Sequence, residues 1–297
     1  MYDVVVLTDE RYVNPKERNA YIENVLREDQ LVLDALQKQG LESVKVAWSD
    51  PSFDWSETRY ALFRSTWDYA EKFVEFSDWL IHVSTKTKLI NPYDLIIWNL
   101  DKHYLSDLEA KAVNVVETYF IEPKDTRSLR QLHKELCWNK TVLKPAVSAA
   151  AKDTFKLDLS NIDDHEDRFR ELIKDESMML QPFQNSIVER GEISLMVMGG
   201  QYTHAVLKIA KPGDFRVQDD FGGTVHKYEP TQAEIALAIA AVEACNPQPL
   251  YARVDIVDDN DGRPAISELE LVEPELWFRR NEEAADKLAK EIKKSVS

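Results

Sequence analysis

One stretch near the C-terminus constrains the fold of this chain more than any other. It runs Arg253-Val254-Asp255, then twelve residues, then Glu268-Leu269-Glu270. Leu250 to Val257 is apolar apart from the embedded Arg–Asp pair and reads as a buried strand. Ala265 to Val272 reads as a second strand, and three carboxylates, Glu268, Glu270 and Glu273, fall in and just after it. Between them Asp258-Asp259-Asn260-Asp261-Gly262 is turn chemistry, so a hairpin is expected. Side chains alternate along a strand, which puts Glu268 and Glu270 on one face about 7 Å apart, within reach of Asp255 across the hairpin. Carboxylates gathered this way repel one another unless a hard cation lies between them, and an all-oxygen set suits Mg²⁺. An acidic hairpin that simply faces water is the plain alternative.

The chain has 297 residues, which implies two or three domains. A net charge of −16 argues against nucleic acid or an anionic membrane as the main partner. Small anions in a local basic pocket stay open. The N-terminus, Met1 to Leu7, lacks the basic start of a signal peptide, and no apolar run is long enough to span a membrane. Cys137 and Cys245 are far apart and form no metal-ligand spacing. A cytoplasmic protein with reduced thiols is therefore expected.

Strands at Asp3–Leu7, Val44–Trp48 and Tyr60–Ser65 alternate with helical patterns at Glu17–Gln39, Glu71–Ser84 and about Asp94–Leu100. That alternation predicts an open parallel α/β domain over residues 1–100. Residues 101–183 read as a small α+β unit. Its helices are His103–Ala112, Asp125–Cys137 and Asp163–Lys174; its strands are Asn114–Thr118, Thr141–Val147, Thr154–Leu159 and Ser177–Phe183. Residues 184–297 read as mostly antiparallel strand (Glu192–Val197, Tyr202–Ala210 and the hairpin) with helices at Thr231–Ala244 and Asn281–Ser295.

Two lysines stand in apolar strands, Lys144 in Val142-Leu143-Lys144-Pro145 and Lys208 in Ala205-Val206-Leu207-Lys208-Ile209. Lysine is rarely buried without a partner. Each is either an edge residue pointing outward or part of a cation cluster that a polyphosphate would hold together. Lys102 and Arg216, the latter on a loop that ends in Gly222-Gly223, are further candidates.

Taken in order, Lys102, Val142 to Pro145, Leu180-Gln181-Pro182-Phe183, Gly191-Glu192-Ile193-Ser194, Lys208, Arg216 to Gly223, Arg253-Val254-Asp255 and Glu268-Leu269-Glu270 resemble the ATP-grasp superfamily. The look-alikes are glutathione synthetase, the RimK-type ligases, D-alanine–D-alanine ligase and the ligase that closes the ring of D-cycloserine. The resemblance covers about residues 90 to 280. It implies an ATP-grasp fold: an open parallel α/β domain, a small central α+β domain and a mainly antiparallel C-terminal domain.

The resemblance also implies roles. Lys102 and Lys144 would hold ATP phosphates, Gln181, Pro182 and Phe183 the adenine, and Glu192 the ribose. Lys208 would sit near the transferring phosphate. Arg216 with Gly222 and Gly223 would form a loop closing over substrate. Arg253 would stabilise an oxyanion, and Asp255, Glu268 and Glu270 would bind Mg²⁺, two ions in all. The implied activity is ADP-forming carboxylate–amine ligation through an acyl phosphate. Its partners would be small amino-acid-like or short peptide substrates, and a homo-oligomer stays open. A catalytically inactive ATP-binding protein and a phosphotransferase are the alternatives. In two respects the sequence departs from the family: Pro145 to Ala151 contains no glycine where a glycine-rich loop is usual, and the last metal position is Glu270 rather than asparagine.

On the acceptor side, Arg64 and Thr66-Trp67-Asp68-Tyr69 sit at a strand end. Arg64 would take a substrate carboxylate and Asp68 an ammonium, between walls of Trp67 and Tyr69. The bland alternative is a helix cap at Asp68 with aromatic staples.

Overall fold

The computed structural model describes residues 1–147, 153–217 and 222–296. In chain order the strands are β1 (Tyr2–Thr8), β2 (Ser43–Ala47), β3 (Thr58–Ser65), β4 (Lys88–Ile90), β5 (Tyr119–Ile121), β6 (Lys140–Pro145), β7 (Phe155–Asp158), β8 (Met178–Pro182), β9 (Glu192–Met198), β10 (Gln201–Ile209), β11 (Thr224–Tyr228), β12 (Tyr251–Asp258) and β13 (Pro264–Glu270). The helices are α1 (Ala20–Lys38), α2 (Phe73–Ser84), α3 (Tyr93–Leu100), α4 (Tyr104–Ala110), α5 (Leu129–Leu136), α6 (Glu166–Leu172), α7 (Ser186–Glu189), α8 (Gln232–Glu243) and α9 (Glu282–Val296).

Three sheets result. β2-β1-β3-β4 is parallel throughout, as the alternation of strand and helix predicts. β5-β8-β6-β7 and β11-β10-β9-β12-β13 are antiparallel. The α/β and α+β class expected from sequence holds.

The first and third sheets share a core. Val4 and Val6 of β1, Val32 and Leu36 of α1, Met196 and Met198 of β9, and Leu288 and Ile292 of α9 belong to one buried cluster. The amphipathic stripe of α9 is buried there. The opposite face of the third sheet packs on α8 and α4 through Ile193, Leu195, Val254, Ala238 and Leu108. The small middle sheet closes its own core with Leu143, Leu180, Phe169 and Leu172. An aromatic cluster of Trp48, Phe63, Phe76 and Trp79 fills the other side of the parallel sheet.

Two local expectations are corrected. Asn114–Thr118 is not a strand: only Val115 makes a bridge, to Ile266, and the strand proper is Tyr119–Ile121. There the side chain of Asn114 is spent on the carbonyl of Pro264 and Thr118 bonds its own neighbour, the carbonyl of Val116. Second, β11 was not legible, because Thr224-Val225-His226-Lys227-Tyr228 is a short, mostly exposed edge strand without an apolar face.

Candidate active site

The hairpin forms as its sequence predicts. Asp259 accepts N–H bonds from Asp261 and Arg263, and Gly262 supplies the positive φ that closes the turn. Register then places Arg253 opposite Glu270 and Asp255 opposite Glu268. A bulge follows Asp255, after which Ile256 pairs with Ile266. Without the extra residue, Ser267 would face the core and Ile266 the site, since a one-residue slip exchanges faces. With it, Ile266 joins Ile256 in the core and Ser267 bonds Glu192 at 3.1 Å. On the neighbouring strands Lys208 pairs in register with Glu192, and Ser194 with Asp255.

One face of β10-β9-β12-β13 therefore carries alternating charges. The Nζ of Lys208 reaches Asp255 at 3.0 Å and also pairs with Glu192. Arg253 donates to Asp255 at 2.9 Å and pairs with Glu270, while its guanidinium lies 5.4 Å from the Trp277 ring centre. Lys102 stands 3.3 Å from Glu268.

Carboxylate oxygens of Asp255, Glu268 and Glu270 lie within 4.8 Å of one another. Burial raises Asp255, but the attraction of Arg253 and Lys208 outweighs it and holds the carboxyl at about 2. Glu268 is likewise lowered against burial by Lys102 and Lys144. Glu270 goes the other way: burial, with repulsion from Glu268 and Asp255, pushes it up to about 8 despite Arg253. The face holds more negative charge than its own cations neutralise. A hard divalent cation fits that oxygen set and would relieve the surplus.

Opposite this face, Lys144 projects from β6 of the middle sheet. Burial, reinforced by Lys102, lowers its pKa, and Glu268 only partly restores it. The N–H of Lys102 donates to the carbonyl of Ala146 at 2.9 Å, which ties this lysine to the chain just beyond Lys144. The two sheets enclose a cavity of about 580 Å³. Lys102, Lys144, Gln181, Pro182, Phe183, Glu192, Lys208, Arg216, Arg253, Asp255, Glu268 and Glu270 all line it. Arg216 pairs with Asp214 at 2.9 Å. Gly222 and Gly223 do not line it. Of the glycine-free segment, residues 148–151 lie outside the described residues, as do 218–221 of the Arg216 loop.

The acceptor-side expectation is half overturned. Trp67 and Tyr69 line the cavity, but Arg64 and Asp68 do not. Arg64 is 3 % exposed; it donates to the carbonyl of Pro274 at 3.0 Å and lies 5.2 Å from the ring centre of Phe278. Asp68 accepts from the indole of Trp48 at 2.7 Å and pairs with Lys72 at 2.9 Å. Arg64 is buried away from the cavity and the Asp68 carboxylate is held by Trp48 and Lys72, so neither is offered to a substrate there.

Sequence reasoning missed Arg11, Tyr12, Tyr21, Gln184, Glu275 and Trp277, which also line the cavity. Their signals were weak. Apart from Tyr21, in the first turn of α1, they lie on loops or short turns, where no periodicity marks a face. Trp277 holds a left-handed backbone at φ 45°, a strained conformation for a bulky residue that no sequence pattern announces.

Comparison with known proteins gives a consistent result. Residues 4–91 match the family described as the N-terminal domain of D-cycloserine synthetase DcsG, and residues 160–272 match the RimK-like ATP-grasp domain. The chain is 31% identical over 277 residues to the cycloserine biosynthesis protein DcsG of Streptomyces lavendulae, covering 88% of this chain and 91% of that protein. The crystal structure of D-cycloserine synthetase DcsG superposes with a TM-score of 0.84 at 28% identity, over 99% of both chains. D-alanine–D-alanine ligase from Bacillus anthracis complexed with ATP superposes with a TM-score of 0.66 at 13% identity, over 100% of this chain and 97% of that one. That second likeness is one of fold alone. Among the described residues, no helix is long and apolar enough to cross a membrane.

Proposed function

This chain belongs to the ATP-grasp ligases and is an ADP-forming, ATP-dependent carboxylate–amine ligase; on that premise we propose that it activates an amino-acid-like or short peptide carboxylate as an acyl phosphate. The alternative of a non-catalytic nucleotide binder has no support in a ligase family. The observation that carries the reading is the pairing of two opposed charged surfaces, Lys102 and Lys144 against the Arg253–Asp255–Glu268–Glu270 array, around one cavity.

In the proposed reaction, a carboxylate oxygen of the substrate attacks the γ-phosphorus of ATP and ADP leaves. An amine nitrogen then attacks the acyl carbon, loses a proton, and phosphate leaves. Lys102 and Lys144 bind phosphate oxygens, and Lys208 holds the transferring group in line. Asp255, Glu268 and Glu270 would hold Mg²⁺, two ions by the resemblance to the family, and the bound metal supplies charge neutralisation on the phosphoryl oxygens. Arg253 would stabilise the tetrahedral oxyanion. Glu192 takes the ribose hydroxyls, Gln181 to Phe183 flank the base, and the Arg216 loop with Gly222 and Gly223 excludes water. The units 1–100, 101–183 and 184–297 would serve acceptor, nucleotide and metal respectively.

With Arg64 and Asp68 withdrawn, the acceptor pocket is assigned to Trp67, Tyr69, Tyr12, Arg11 and Glu273. Aromatic walls would enclose the substrate, Arg11 would turn from its pairing with Asp9 to meet the substrate carboxylate, and Glu273 would meet its ammonium. Likeness to a cycloserine-forming protein favours a substrate whose nucleophilic nitrogen and carboxylate belong to one molecule, so that ligation closes a ring. The test is ADP release against a panel of amino acids, their nitrogen-bearing derivatives and dipeptides. Glu268→Gln is expected to abolish release on the productive substrate while leaving the circular dichroism spectrum unchanged. Near-normal turnover with Mg²⁺ in that variant would refute the metal assignment.

A further inference from the structure

The turn that leads into α4 carries a histidine whose two ring nitrogens both face carboxylates. Nδ1 of His103 lies 2.6 Å from Asp101 and Nε2 lies 3.2 Å from Glu122, while the ring stacks on Phe120 with centres 3.9 Å apart. A neutral imidazole has one N–H and one lone pair, so one of its nitrogens would set lone pair against lone pair. Only the imidazolium, which donates from both nitrogens, satisfies both sides. Burial lowers the pKa of the ring, but Asp101 and Glu122 outweigh it and the net shift is upward. Asp101 faces the ring from its own turn and Glu122 from the end of β5. From the start of β8, the hydroxyl of Ser177 donates to the second oxygen of Glu122 at 2.8 Å.

These contacts close a ring through the residue next door. The N–H of Lys102 donates to the carbonyl of Ala146, just past β6, and the N–H of Ala146 donates to the carbonyl of Ser177, each at 2.9 Å. Ser177 holds Glu122, and Glu122 holds His103. Lys102 is thus fastened to the middle sheet at two points, once by its own N–H and once through the imidazole of the next residue. On the other side the chain is tied to the third sheet, where the Tyr104 hydroxyl accepts from the N–H of Leu269, beside Glu268, at 2.9 Å. Residues 101–104 therefore form a strap between the two sheets that enclose the cavity. Lys102 stands on that strap with its ammonium 3.3 Å from Glu268. A strap held to the middle sheet by one hydrogen bond can turn about it; a second attachment sets its orientation, and with it the aim of the lysine.

We propose that His103 is a positioning residue for the nucleotide site: as an imidazolium clamped between Asp101 and Glu122, it fixes the backbone of Lys102 and so the ammonium that meets the phosphates of ATP. His103 does not itself line the cavity. The inference rests on the assignment of Lys102 to the phosphates. Its pH sense follows from the charge. The clamp is complete below the ordinary histidine value and is lost as the pH rises through the raised one.

The test is calorimetry on the full chain with Mg²⁺ and a non-hydrolysable ATP analogue, at about pH 6 and about pH 9, below and well above the ordinary histidine value. At the lower pH the wild type is expected to bind about 3-fold more tightly than His103→Gln, the scale of a partly exposed ion pair. At the higher pH the two are expected to bind alike. Glu270 and Glu273, pushed up to about 8 and about 7, titrate in the same range, but they do so in both proteins and cancel in the ratio. His103→Arg keeps a cation at every pH and is expected to hold the advantage over the Gln variant at both. Equal affinity of wild type and Gln variant at both pH values overturns the inference, provided that Lys102→Ala weakens binding. So does a ratio that does not change with pH, since packing rather than charge would then be at work. If Lys102→Ala binds as the wild type does, the phosphate assignment itself falls, a separate readout from the first two.

Discussion

A lysine that burial has made less basic exists to meet an anion, and Lys144 shows what that requires. Its pKa is lowered by desolvation and by Lys102, with Glu268 offsetting only part. Phosphate oxygens would oppose that shift and favour its charged form. Lys144→Ala is expected to weaken ATP binding by roughly 1.5–3 kcal/mol, the scale of a hydrogen bond to a charged group, measured by calorimetry; unchanged affinity would make it an ordinary strand residue. Arg64 makes the opposite case. From sequence it and Lys144 look alike, a cation at or near the end of an apolar strand. The difference lies in partners from remote segments: Pro274 and Phe278 enclose Arg64, and its charge is one of those that steady the buried Asp29. No local pattern reveals a contact more than two hundred residues away. Arg64→Ala is accordingly expected to cost about 3 kcal/mol of folding stability, because a buried charge network loses one member. A chemical denaturation midpoint equal to that of the wild type would contradict this.

At the scale of elements, what was legible in the sequence followed periodicity. The hairpin was visible because Asp258 to Gly262 separates two apolar runs, and its registered carboxylates followed from the alternation of a strand. The bulge at Asp255 was not visible: it depends on which isoleucine the core can accept, a tertiary choice. β11, without an apolar face, left no trace, and Asn114 to Thr118 looked like a strand until side-chain bonds to backbone displaced the ladder. Helix α8 is a clearer case of local coding. Thr231 and Glu234 form a capping box, and Glu234 also pairs with Arg190 at 2.7 Å, joining the helix start to α7. Thr231→Ala is expected to lower stability by about 1 kcal/mol. Because α8 packs on the face of the sheet away from the cavity, ADP release per folded molecule should be unaltered. A drop in specific activity would show that the two faces are coupled.

At the scale of the whole molecule, the catalytic sheet is fastened to the rest by groups that must stay uncharged. His204 on β10 is buried, bonds the carbonyl of Leu276 at 2.9 Å, and so anchors the strand carrying Lys208 to the segment that leads through Trp277 into α9. Burial lowers its pKa from the ordinary value, and hydrogen bonds to the backbone only partly oppose this. The sign follows directly. In the folded chain His204 resists protonation, whereas the unfolded chain accepts a proton near pH 6.5. Its contribution to stability is therefore complete above about pH 6.5 and is lost as the pH falls from there toward the depressed folded value, by at most about 1.4 kcal/mol per pH unit. His133, lowered mainly by burial, acts in the same sense, while the half-exposed His103, raised by Asp101 and Glu122 against burial, acts in the opposite one. A comparison with His204→Gln isolates the one group from these. The wild type is expected to lose more unfolding free energy than the variant between pH 7.5 and pH 5.5, roughly in line with that slope, when urea midpoints are followed at constant ionic strength. Parallel pH profiles for the two proteins would mean that His204 takes up its proton as readily in the fold as outside it, and that the anchor between the catalytic sheet and α9 does not depend on a neutral imidazole.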